Sequence, residues 1–87
     1  MSKETATINV RGVCLYLVGT SKCFSSAMFL QHQKSMDHPD QAEAVAESCI
    51  KNCDALLAEI RKQRRKLVRA RYELRKEQEN GDGRNEQ

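Results

Sequence analysis

Four cysteines, two histidines and a cluster of cations are the residues of this 87-residue chain whose chemistry could define a site. Cys49 and Cys53 stand four apart, so on a helix both thiols share a face, and Cys14 and Cys23 complete a weak candidate metal set. Zinc knuckles take two ligands from a tight turn, a geometry that neither the 14/23 nor the 49/53 spacing supplies. Free, buried thiols are therefore expected, with no metal and no cofactor. His32 and His38 have no cysteine or carboxylate spaced to share a site and are expected at the surface. Gly12 and Gly19 lack the lysine of a phosphate loop, and the sequence holds no nucleophile elbow and no H-E-x-x-H motif. Tyr16 and Tyr72 read as packing and surface residues. With aromatics at 5% and no tryptophan, the chain has few of the side chains that line substrate pockets. Neither an enzyme nor a small-molecule binder is expected.

Charge is the stronger signal. Arg61, Lys62, Arg64, Arg65, Lys66, Arg69, Arg71, Arg75 and Lys76 place nine cations on about four turns of helix. Residues 61–77 sum to +7, against −4 for residues 40–60, within a net charge of +3. Such a segment suits nucleic-acid phosphates, an acidic protein surface, or the acidic half of another helix. It differs from a basic leucine-zipper arm, because the apolar seam continues through Leu67 and Leu74 and no base-reading asparagine is embedded in it.

The elements that must position these groups are expected to be mainly α with a minor β part. Residues 5–10 alternate polar and β-branched types and 13–18 is a short apolar run, which predicts one kinked strand or a β-hairpin over 5–18 turning at Arg11-Gly12. Ser21 is placed to cap a helix over 22–36, with Phe24, Ala27 and Met28 on one face. Asp37-His38-Pro39-Asp40 predicts the start of a long helix, 38–80, with Asp37 as its cap. Asn80-Gly81 predicts its stop, and residues 81–87 a disordered tail.

On the long helix, Ala42, Ala46, Cys49, Cys53, Leu56, Ile60, Gln63, Leu67, Ala70 and Leu74 hold heptad spacing and form a candidate dimer seam with one polar intrusion. A covering helix of about fifteen residues reaches only roughly 22 Å, so a second copy is expected to cover the rest. An antiparallel homodimer sets the +7 segment along the −4 segment. The longest apolar run, 13–18, is too short for a bilayer, and without a secretion signal the chain is expected to be cytoplasmic, with no membrane partner. The expected function is a regulator or inhibitor acting by protein–protein interaction through a dimeric coiled-coil scaffold. Nucleic-acid binding through the basic helix and a structural assembly subunit are the alternatives.

Overall fold

The computed structural model describes the backbone of residues 2–86 and the side chains of residues 2–77. Two long helices, α1 (Lys3–Asp37) and α2 (Ala42–Glu86), are joined by a single 3-10 turn at Pro39–Gln41 and lie antiparallel. No strand occurs among the described residues. α2 continues past the stop expected at Asn80-Gly81, as far as Glu86, so the helix also takes in most of the stretch 81–87 expected as a tail.

The strand or hairpin expected over 5–18 is instead the first half of α1, and the helix expected over 22–36 is its second half. Ser2 nucleates this helix, its hydroxyl accepting the backbone N–H of Thr5 at 3.1 Å, and Glu4 stands in the first turn near the positive dipole end. Within the stretch that suggested a strand, Thr7 bonds back to the preceding turn, its Oγ1 donating to the Lys3 carbonyl at 2.8 Å; beyond it, Thr20 Oγ1 donates likewise to the Tyr16 carbonyl at 3.0 Å. Gly12 and Gly19 make no turn; each is a helical residue with open space where a side chain would stand.

Asp37 does not cap the second helix. It ends α1, and His38 breaks the helix with φ −133° and ψ 72° while its N–H still bonds the Lys34 carbonyl at 2.9 Å. Pro39 then opens the 3-10 turn, where its missing donor costs nothing.

Contacts across the hairpin set its register. The Tyr16 hydroxyl meets Glu59 and the Met28 sulfur lies 3.9 Å from the Asn52 amide nitrogen, so facing residue numbers sum to 75 (16 + 59) at one level and 80 (28 + 52) at the other. On α1, Ala6, Val10, Val13, Leu17, Thr20, Phe24, Ala27 and Gln31 hold an uninterrupted heptad, all buried or half-buried. On α2 the matching positions run from Val45 through Cys49, Asn52, Leu56, Glu59 and Gln63 to Leu67, Ala70 and Leu74. Because α1 has 35 residues rather than about fifteen, it also reaches the second half of α2, where Leu67 and Leu74 are half-buried without another chain.

The core is thin. Ala6, Val13, Val45 and Ala70 are the apolar residues buried among those described, and no large side chain is fully buried. The hairpin is a rod of 73 × 16 × 14 Å with a radius of gyration of 20.2 Å, against about 12 Å for a globular chain of this length. Ala6 and Ala70, at 0% and 1% exposure, fix the close approach of the helices at their open end. Ala70→Leu should therefore cost about 1–3 kcal/mol through overpacking, whereas Ala58→Leu on the exposed face of α2 should stay within about 0.5 kcal/mol, both read from urea denaturation.

Candidate interaction surfaces

All nine cations of residues 61–76 are solvent-exposed. The stretch of α1 beside them, residues 3–16, carries Lys3, Arg11 and a single acid, Glu4, so α1 adds little counter-charge to them. Residues 3–16 and 61–77 together hold eleven cations and three acids, +8. The turn half, residues 17–60, holds three cations and six acids, −3. Pairing α2 with α1 thus produces a rod with one strongly basic half and one mildly acidic half.

The ten residues expected as a dimer seam divide between two faces. Cys49, Leu56, Gln63, Leu67, Ala70 and Leu74 are buried or half-buried in the hairpin, while Ala42, Ala46, Cys53 and Ile60 are exposed. With Ile50 and Leu57, 55% and 47% exposed, the exposed set forms a second stripe alongside the one that packs on α1.

A further apolar face lies on α1. Ile8, Leu15, Val18, Phe29 and Met36 are all exposed; four of them fall at multiples of seven residues, on the side of the helix away from its buried heptad. α1 consequently carries apolar residues on its outer side as well, interspersed with Glu4, Arg11, Lys22 and Gln33. By length and composition it is the one described helix able to cross a membrane, a property hidden when only the 13–18 run is considered. Lys22 lies near the middle of the apolar stretch 13–30, beside Gly19, Thr20 and Ser21.

Two adjoining open grooves of about 670 and 650 Å³ run between the helices and share Tyr16 and Glu59 as lining. The first is mostly apolar, bordered by Leu15, Gly19, Phe24 and Ala55; the second carries Lys62, Lys66 and Arg69. Between them sits a polar layer that the sequence reading missed. Gln63 is 3% exposed and donates through Nε2 to Glu59 Oε1 at 3.2 Å, and Glu59 also accepts the Tyr16 hydroxyl. The four-residue spacing of Glu59 and Gln63 was the available signal; the partner on α1 was invisible while Tyr16 was assigned to a strand.

The thiols are more exposed than expected. All four are free; Cys14, Cys23 and Cys53 are exposed and Cys49 is half-buried. Among the described residues no three potential ligands gather, so the candidate set of Cys14, Cys23, Cys49 and Cys53 is not brought together. His32 and His38 lie on the surface, with the His32 ring 6.4 Å from that of Phe29. Tyr72 is exposed.

Protein-family models, curated proteins and solved structures offer no match to this chain.

The polar layer has a pH signature. The hydrogen bond from Tyr16, then that from Gln63, holds the Glu59 carboxyl below its ordinary 4.5, and the bond to Glu59 with its negative charge raises the Tyr16 phenol above its ordinary 10.0. Stability from Glu59 is present above pH 4.5 and lost as pH falls through its lowered value. Stability from Tyr16 is present below pH 10 and lost as pH rises through its raised value. Melting temperature followed across pH should show Glu59→Gln flattening the acid limb and Tyr16→Phe the alkaline limb, each relative to the parent.

Proposed function

We propose that this chain is a non-enzymatic regulator, cytoplasmic and dimeric, that binds and modulates a larger macromolecular partner through its helical scaffold. The supporting observation is the imbalance of apolar surface: among the described residues four apolar residues are buried, whereas twelve large hydrophobic residues, spread over both helices, are exposed. So much exposed apolar surface suits an interaction site, and a hairpin with so thin a core gains stability when it is covered. One exposed face serves the second copy and leaves the outer face of α1 for the regulated protein.

A lipid bilayer is the competing acceptor for α1. Lys22 near the centre of the apolar stretch costs about 2.5–3.5 kcal/mol on insertion, and the neighbouring glycine, threonine and serines add nothing to offset it. Lys22 also stands on the outer stripe between Leu15 and Phe29, where a protein partner can meet its ammonium with a carboxylate that a bilayer core does not supply.

Nucleic-acid binding is the second reading. It is favoured by the exposure of all nine cations and by the near absence of acids on the facing stretch of α1. Arg69 and Lys62 border the groove, while Arg61, Arg65 and Lys76 continue along α2, which suits phosphate contacts at varied angles. An open-ended assembly subunit is the third.

Light scattering over a concentration series separates these readings. The proposal predicts a discrete mass of twice 9.9 kDa; a 9.9 kDa species at high concentration contradicts the dimer, and a mass that keeps growing favours assembly. Leu15→Glu with Phe29→Glu should abolish partner capture from nuclease-treated lysate while leaving that mass unchanged. Capture that disappears on nuclease treatment, together with a mobility shift of generic DNA or RNA that weakens steeply with salt, would favour the second reading instead.

A further inference from the structure

The exposed stripe of α2 is built in two halves of opposite character. From Ala46 through Ile50, Cys53, Leu57 and Ile60 it steps by four and three residues and is apolar. Beyond Ile60 the same line continues as Arg64, Val68, Arg71 and Arg75, all exposed. Glu43, Glu47 and Asp54 run along the edge of the apolar half and are exposed too.

Resting on the self-association proposed above, we infer that a second copy docks antiparallel along this stripe, in a register where facing residue numbers sum to 118. Three ion pairs then form together: Asp54 with Arg64 (54 + 64), Glu47 with Arg71 (47 + 71) and Glu43 with Arg75 (43 + 75). Two-fold symmetry repeats each of them. The same register sets Ile50 against Val68 (50 + 68) and gathers Leu57 and Ile60 of both copies at the centre. A parallel, in-register pair would stack Arg64, Arg71 and Arg75 on their own counterparts, which like-charge repulsion opposes.

Surface area agrees. The hairpin exposes 6982 Å². A compact monomer of its mass exposes roughly 5,200 Å², leaving an excess of roughly 1,800 Å², more than the roughly 800 Å² that each partner contributes to a stable interface. The stripe is already exposed, so docking needs no opening of the hairpin. It also consumes only three of the nine cations, leaving Arg61, Lys62, Arg65, Lys66, Arg69 and Lys76 outside the pairs. This docking keeps the antiparallel direction that the charge pattern suggests, with the contact line moved off the residues that α1 covers.

Disulfide trapping in the full-length chain tests the register. With Cys14, Cys23 and Cys49 replaced by serine, native Cys53 retained and Arg64→Cys introduced, oxidation should yield a covalent dimer whose peptide map shows 53-to-64 bonds. Within one chain these positions are about 16 Å apart along the helix, beyond disulfide reach, so the bond reports a second copy. Bonds joining 64 to 64 would overturn the antiparallel docking while sparing self-association, and a monomer by light scattering before oxidation would overturn both. In the cysteine-intact chain, Arg71→Glu should weaken the dimer at least tenfold and added Glu47→Arg should restore it; failure of that rescue with the helical circular dichroism intact would also overturn the register.

Discussion

The structure depends on the packing of α1 against α2 along a face of small and medium side chains. Ala6 against the open end, Val13 and Val45 along the length, and Ala70 near the far end of α2 let the helices approach closely, but they bury little apolar area. Gln63 occupies the centre of this face and would be costly to bury alone. Its bond to Glu59, and the bond of Glu59 to Tyr16, satisfy it while fixing which turn of α1 meets which turn of α2. An apolar face repeating every seven residues could slide by a heptad; a single polar layer penalises that slip.

Much of α2 was legible in the sequence. Six of its ten heptad positions, Gln63 as the polar intrusion, the interruption around His38-Pro39 and the basic run are local patterns; Ala42, Ala46, Cys53 and Ile60, read into the same seam, lie exposed because the packed face runs through Val45, Asn52 and Glu59 instead. α1 was not legible, because three local signals favoured other structures. Residues 5–10 are rich in β-branched types, and Gly12 and Gly19 punctuate the chain where hairpin turns would lie; each glycine costs about 1 kcal/mol in a helix relative to alanine. Continuous pairing with α2 outweighs these weak preferences. The overlooked signals were Ser2 as a cap and the heptad from Ala6 to Gln31, which runs through both glycines without losing phase. That heptad is hard to see because the opposite face of α1 is apolar as well.

The candidate surfaces follow from the same misassignment. With α1 taken as a strand and a short helix, half of the α2 seam had to be covered from outside, and the second copy was placed there. The full-length α1 fills that seam and moves the unpaired apolar surface to the stripe containing Ile50, Leu57 and Ile60 and to the outer face of α1. Charge is redistributed too. The basic stretch of α2 lies beside the nearly neutral first half of α1, and Glu73, Glu77 and Glu59, which interacts with Lys62 and Lys66, offset only part of its charge. Hydrophobic cover and counter-charge are therefore needed from outside the hairpin, a combination that suits a protein acting by contact.

The antiparallel hairpin itself is tested most directly by the distance between spin probes at Ile8 and Arg69, which border one groove, in labelled chains diluted with unlabelled protein. Helices packed with axes 8–10 Å apart place the probes within about 20 Å of each other. A distance of roughly 90 Å, as for two helices opened end to end at 1.5 Å per residue, would contradict the account.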